Sequence, residues 1–487
     1  MADSVFSKLF EKIGTLIGRD PNEPHRPFSL QEVQQILHQH HDALLELYGV
    51  PIEELRARQL RQRILEDTSS AGNSLCNPHT TERVFAGDWA IFTPLPPTAS
   101  GIADYAAELA PSLASRLNAI YIIADDAPTP EHFGFPFERL SEWKSNQERD
   151  RATPRLYHLG NSHIHEYILQ EAMQQPGVVV LHDWVLHHLF EQTMLRRSDS
   201  DTFRKLAVEH HGPLGEVIAD LAERELSGDA FRFGLPMTAP ALQNAKAVIV
   251  HSFESMYRVR DLLPDIPVQR IPLQYSRSTD CEETNASDVR KRLGMHPDRL
   301  IFVALGLATV QKRLDSLIST LAAIKEQIPP FELWVVGELP DSLGLRELTI
   351  ESGLANHMHV TGRVDMNTFQ AFIDHSDVVV NLRFPSAGES SATLIRAMGA
   401  GKPCVVFDSG SALDYPGDSL VRIPIEISSH AGLANALRSL ACDENARQQT
   451  GSAAANHIAK WHAVDQCADA YANFMLSVTT ERDEPSR

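Results

Sequence analysis

The feature that most constrains this chain is the stretch Asp377–Asp408, DVVVNLRFPSAGESSATLIRAMGAGKPCVVFD. Val378, Val379 and Val380 form a short β-branched run between polar residues, the mark of a strand buried in a parallel sheet. A loop with Pro385 and Gly388 follows, and Leu394, Ile395, Ala397 and Met398 then give Ser390–Met398 a helical pattern. Gly399, Gly401 and Pro403 stop that helix, and Cys404–Phe407 reads as the next strand. In a strand–loop–helix–strand unit the free N–H groups at the helix start point out at the carboxyl edge of the sheet, where they can hold an anion. Ser390 and Ser391 stand at that start, and Glu389 sits in the loop before them, placed to accept hydrogen bonds from ligand hydroxyls. An anion site beside a carboxylate suits a sugar linked to a diphosphate.

The same alternation of strand and helix runs through the chain twice. From about Arg83, strands are expected at Trp89–Thr93, Ala119–Ala124, Arg155–His158, Val178–Leu181, Ala247–His251 and Ile271–Leu273. Ser276–Ser287 is polar and acidic and reads as a linker. The alternation restarts with strands at Ile301–Leu305, Phe331–Val336 and around His359–Thr361, and helices are expected at Leu433–Ala441 and Glu444–His462. The pattern therefore predicts an α/β protein of two Rossmann-like halves facing across a cleft. The expected units are a helical extension over 1–80, a first half over 83–275, a second over 298–460 and a last helix over 461–478.

In the extension, Val5, Phe6, Leu9, Phe10, Ile13, Leu16 and Ile17 recur at helical spacing with Lys8, Lys12 and Arg19 among them. Such a helix could lie on a membrane or dock on protein, and both readings stay open. Ser29 and Glu32 form a capping box for a second helix, and Pro51 starts a third that runs to about Glu66. The net charge of −20 argues against broad nucleic-acid binding. Cys76, Cys281, Cys404, Cys442 and Cys467 show no metal spacing and read as buried reduced thiols. No charged-then-apolar leader and no run of about 18 apolar residues occurs. The expectation is a soluble cytoplasmic protein that could meet the cytoplasmic face of a membrane, or a protein partner, through residues 1–67.

The segment GESSATLIRAMGAGKPCVV resembles the donor-binding segment of the retaining GT-B glycosyltransferases of family 4, also called glycosyl transferases group 1. The resemblance covers about Arg83–Phe474 and departs from the family at two points. The family pattern has two glutamates separated by seven residues; here Glu389 is one step out of register, and Arg396 replaces the second, ribose-holding glutamate. A glycine–arginine pair with a lysine six positions after the glycine is matched by Gly306 and Lys312, but Leu307 stands where the arginine belongs. The resemblance implies transfer of a sugar from a nucleoside diphosphate sugar to a hydroxyl with retention, without a metal ion or other cofactor. It also implies a last helix, Trp461–Phe474, that crosses back onto the first half. The acceptor could be a glycan, a lipid-linked sugar or a protein.

The site residues follow from the same comparison. Glu389 and His182, in VVVLHDWVLHHL, would hold donor sugar hydroxyls; Lys312 with Arg313, Gly306, Ser390, Ser391 and Gly101 would meet the diphosphate; Gly337, Gly362 and Arg363 would flank the nucleotide. Asp183 is not assigned as a nucleophile. Asp199 and Asp201 form an Asp-x-Asp pair, but in a polar stretch, and read as a turn or helix cap. Two alternatives stay open: a nucleotide-sugar epimerase on the same fold, and a non-catalytic partner or scaffold favoured by Leu307 and Arg396. The extension carries no cleft-placed polar set, so a chain starting near Arg83 is expected to fold and to bind donor.

Overall fold

The structure, a computed structural model, describes residues 50–70, 85–195, 199–223, 232–233, 236–276, 286–426 and 430–480. The helices expected over residues 1–47, the boundary expected over 68–80 from its fourth residue onward, most of the Ser276–Ser287 linker, Cys76 and Cys281 lie outside these.

Among the described residues, strands β1 (Asp88–Phe92), β2 (Asn118–Ile123), β3 (Phe137–Arg139), β4 (Arg155–Leu159), β5 (Gly177–Leu181), β6 (Ala245–Val250) and β7 (Val268–Arg270) form one parallel sheet, ordered β3-β2-β1-β4-β5-β6-β7. Strands β8 (Leu300–Leu305), β9 (Phe331–Val336), β10 (Met358–Val360), β11 (Val378–Val380), β12 (Cys404–Phe407) and β13 (Val421–Ile423) form a second, ordered β10-β9-β8-β11-β12-β13. The central strands β4, β5, β8, β9, β11 and β12 are buried along their whole length, which is why they read as continuous apolar runs. In each sheet the order reverses once, between β1 and β4 and between β8 and β11, and a ligand crevice opens at the carboxyl ends beside such a reversal.

Two short edge strands, β3 and β13, carry no pattern long enough to read from sequence. The last strand of the first half lies at Val268–Arg270 and not at Ile271–Leu273. Pro272 has no N–H to give, so the ladder ends before it.

Helix α1 (Val50–Ser70) is the described part of the extension, and it touches both halves. Ala57 and Leu60 are buried, Arg63 forks onto Asp261 at 2.7 and 2.9 Å, and Arg61 pairs with Asp408. Helix α2 (Gly101–Leu113) follows β1, with Ser100 capping it by accepting the Ile102 N–H at 3.2 Å. Between β5 and β6 the first half carries an inserted helical run, α3 (His187–Leu195), α4 (Ser200–His211) and α5 (Pro213–Glu223). Asp199 caps α4 by accepting the Thr202 N–H. Helix α6 (Phe253–Leu262) follows β6; in the second half, α7 (Met366–Asp374) precedes β11 and α8 (Ala392–Gly399) follows it.

The halves meet at the foot of the cleft. The Val185 N–H donates to Ala387 O at 2.9 Å, Ser255 Oγ to Gly388 O at 3.0 Å, and the Phe253 N–H to Asp414 at 3.1 Å. Gly388 is required there: its φ is +75°, and a Cβ would lie 2.4 Å from Trp184 Cβ. The last described helix, α9 (Val464–Thr480), returns to the first half, where Tyr471 OH meets Tyr105 OH at 2.8 Å and buried Arg116 bonds Asp469 at 2.6 Å.

Candidate active site

A cavity of about 470 Å³ lies between the two carboxyl edges and is lined from both halves. Its size is that of an ordinary small-molecule site. The first half contributes the start of α2 with Gly101, Asp104, Tyr105 and Glu108, then Asn161, His165, His182, Asp183, His251 and Gln274. The second contributes Val364, Met366 and Phe369 around the start of α7, and Glu389, Ser390, Thr393 and Arg396 around α8.

The loop from β11 to α8 sets an arginine against a carboxylate. Arg383 Nη1 donates to Glu389 Oε1 at 2.7 Å, Arg383 Nη2 to Ser391 Oγ at 3.2 Å, and Ser386 Oγ to Glu389 Oε2 at 3.3 Å. Ser391 is the N-cap of α8, accepting the Leu394 N–H at 3.3 Å, so the unpaired N–H groups of the first turn open toward the cavity beside Glu389. Lys312 sits behind this loop. Burial, and next the Arg383 charge, push its ammonium down to about 7, while Glu389 pulls the other way. An anion brought to the loop would restore the lysine's charge.

Across the cavity, His182 stands at the end of β5 in a stack of imidazoles. Its Nε2 lies 3.0 Å from His158 Nδ1, and its ring centroid is 4.8 Å from that of His251. His165 donates Nδ1–H to His158 O at 2.9 Å. Burial holds this group neutral: His158 is lowered to about 3, His165 and His251 to about 4, and His182 well below its usual value. A neutral imidazole can both accept and donate to sugar hydroxyls without adding charge next to a phosphate. Beside it, Asp183 accepts the Asn161 N–H at 2.7 Å. Burial, with help from the Glu389 charge, lifts its carboxyl to about 7.

The structure thus brings His182, Glu389, Ser390 and Gly101 to one cavity, with Ser391 and Lys312 directly behind its wall. Gly306 packs on Lys312, whose Nζ would be 3.0 Å from a Cβ there. Gly337 contacts Gly306 backbone to backbone, and its N–H donates to Thr361 Oγ1 at 3.2 Å, so the loops after β8, β9 and β10 converge next to Gly362 and Arg363. Arg313 does not join them: it is buried and bonds Asp315 at 2.7 Å and Ser316. Sequence reasoning missed Arg383, although it lies in the most informative stretch. It also missed Asp104 and Glu108, whose i, i+4 spacing after Gly101 was the available signal. Arg396 reaches across the cleft and pairs with Glu108. The ion pair thus joins α8 to α2, and Arg363 adds its charge near Asp104.

This arrangement of two parallel-sheet halves, a shared cleft and a returning last helix is the GT-B fold. Residues 286–457, most of the second half, match the family described as glycosyl transferases group 1. Among curated proteins, the chain is 26% identical over 191 residues to a GDP-mannose-dependent alpha-(1-6)-phosphatidylinositol monomannoside mannosyltransferase of Mycobacterium tuberculosis. That match covers 38% of this chain and 49% of the relative, so the chain spans about half the length of the curated relatives it matches. Among solved structures, HepE of Anabaena, in complex with UDP and glucose, superposes with a TM-score of 0.56 at 16% identity, over 80% of this chain and 99% of HepE. Sucrose-phosphate synthase of Thermosynechococcus elongatus gives 0.53 at 17% identity, over 81% and 100% of the two chains. At these identities the likeness is one of fold.

No described helix is long and apolar enough to cross a membrane, and no group of three or more His, Cys, Asp or Glu among the described residues is placed to hold a metal ion.

Proposed function

We propose that this protein transfers a glycosyl group from a nucleoside diphosphate sugar to a hydroxyl acceptor, with retention at the anomeric carbon. The observation that carries the reading is the loop Arg383–Ser391 with Lys312 behind it, which together set a carboxylate, a capped helix start and two cationic side chains on one side of a cleft whose opposite wall includes a cluster of neutral histidines. Cleavage of the sugar–phosphate bond sends an electron pair to the departing diphosphate. The N–H groups at the start of α8, with Arg383 and Lys312, meet that growing charge in a fixed geometry. Glu389 and His182 hold sugar hydroxyls from opposite sides and fix the anomeric carbon. The acceptor oxygen forms the new bond, and its proton passes to the departing phosphate oxygen. Asp199, read from the sequence as a turn or helix cap, caps α4, and the counter-charge is assigned to these cations. Gly337, Gly362 and Arg363 are assigned to the nucleoside.

Titration calorimetry with UDP, GDP and ADP sugars, followed by product analysis with and without acceptor, tests the reading. One nucleoside diphosphate class should bind, and sugar should leave it only onto an acceptor or, slowly, water. Absence of any nucleotide binding would reject an enzyme of this class; an epimerised free nucleotide sugar would favour an isomerase.

A further inference from the structure

Glu389 is held at both ends, and by different parts of the molecule. Its carboxylate is gripped from within its own loop, by Arg383 at 2.7 Å and Ser386 at 3.3 Å. Its backbone is gripped from outside. Three successive carbonyls of the loop accept bonds from elsewhere: Ala387 O from the Val185 N–H at 2.9 Å, Gly388 O from Ser255 Oγ at 3.0 Å, and Glu389 O from Ser411 Oγ at 3.0 Å. Gly388 O and Glu389 O lie in the two peptide planes that flank the Glu389 Cα, so these last two bonds together fix its φ and ψ. Gly388, at φ +75°, gives the loop no stiffness of its own at that point.

All three donors lead back to the first half. Val185 follows β5, and Ser255 lies in α6, where it is 3% exposed. Ser411 belongs to the second half, in the segment Asp408–Asp414 after β12, but that segment is anchored outside it. The buried Asp414 carboxylate accepts the Phe253 N–H from the start of α6 at 3.1 Å and Arg270 Nε from β7 at 3.2 Å. Asp408 pairs with Arg61 of α1. Between them Gly410 passes close to Glu254 of α6, whose Oε2 would stand 3.4 Å from a Cβ there. The carboxylate on the second-half wall of the cleft is thus oriented by the opposite half, and α1 bears on the same segment.

We propose that the docking of the two halves sets the position of Glu389, with Ser255 and Ser411 as its positioning residues. This rests on the reading above of Glu389 as the group that holds the donor sugar, and adds what holds Glu389. A carboxylate that fixes an anomeric carbon has to stay within roughly 0.5 Å of its place. The second half carries the helix start that meets the diphosphate, but not the Ser255 hydroxyl or the anchors of the Ser411 segment. Halves that part leave the diphosphate site formed and Glu389 unset, so that cleavage of the donor is confined to the docked state.

The test uses the full chain and the nucleoside diphosphate sugar that calorimetry shows it to bind. Ser255→Ala and Ser411→Ala each delete one hydroxyl and should each lower kcat about fivefold, the effect of one ordinary hydrogen bond. Affinity for the free nucleoside diphosphate should change less than about twofold, since neither hydroxyl touches Lys312 or the start of α8. Ser411→Thr keeps the hydroxyl and should retain the wild-type kcat, while Ser255→Cys, a weaker donor, should fall between serine and alanine. The decisive comparison repeats both alanine substitutions in a Glu389→Ala background, where there is no carboxylate left to position. There each should change the residual kcat less than about twofold. A merely structural role would lower the melting temperature and leave kcat of the folded protein alone. Unchanged kcat in both folded alanine variants, or a fall as large without Glu389 as with it, would overturn the assignment. No transfer by the wild-type chain from any nucleoside diphosphate sugar would overturn the function itself, a result distinct from transfer that Ser255 and Ser411 do not influence.

Discussion

Asp183→Asn is the substitution whose consequence can be worked furthest. The Asp183 carboxyl is raised from an ordinary 3.8 to about 7, first by burial and then by the Glu389 charge, against the pull of the Asn161 N–H and Arg383. A raised folded-state value means that the proton favours the fold. The stabilisation is complete below about pH 4 and is lost as pH rises through about 7. A gap of about 3 pH units at about 1.36 kcal/mol each sets a ceiling of roughly 4 kcal/mol, of which roughly 2–3 kcal/mol falls between pH 5 and pH 8. Asparagine keeps an oxygen for the Asn161 N–H but never ionises, so it should escape this loss. For a chain of 487 residues, thermal unfolding of both proteins at pH 5 and pH 8 should show the variant's advantage growing by roughly 2–3 °C across that interval. The lowered histidines, which destabilise the fold as pH falls below about 6.5, are common to both proteins and cancel in the comparison. An advantage that is the same at both pH values would show that Asp183 is ionised throughout and would refute the raised carboxyl.

Two further outcomes are expected. Glu389→Gln keeps the size of the side chain but removes the charge that faces Arg383, and turnover should fall by one to several factors of ten, about 1.4 kcal/mol each. Free nucleoside diphosphate should still bind; normal transfer kinetics in the folded variant would leave Glu389 a mere helix-start acid. Removing residues 1–82 deletes α1, and with it buried Ala57 and Leu60 and the Arg63–Asp261 fork. Burying one leucine alone is worth roughly 1.5–3 kcal/mol, so the shortened chain should melt several degrees lower than one cut at residue 49. Equal melting temperatures would restore the expectation that the whole extension is dispensable.

Much of the fold was legible because a parallel sheet covered on both faces leaves its strands as unbroken apolar runs. Val178–Leu181, Ile301–Leu305, Phe331–Val336 and Val378–Val380 all read to within a residue or two. The three-residue edge strands β3 and β13 were not legible, since a single turn of pattern cannot separate strand from loop. The helical insertion after β5 gave no strong signal either. It does, however, explain Asp199, which reads correctly as a cap because capping is a local interaction.

The site divides along the same line. The loop, the helix start and Glu389 are neighbours in sequence, and local chemistry was enough to find them. Lys312 and Arg313 are also neighbours, yet one faces the charged loop and the other turns inward to Asp315, a choice made by packing and not by composition. The Arg396–Glu108 pair joins residues 288 positions apart, and His158, His182 and His251 meet only because β4, β5 and β6 lie side by side. Sequence by itself determined the alternating elements, the two halves and the strand–loop–helix–strand unit over Asp377–Asp408, because each follows from periodicity and turn chemistry within a short window. Only the tertiary structure decided which side chains share the cavity, which charges neutralise one another and which imidazoles stack, because those depend on contacts between segments far apart in the chain.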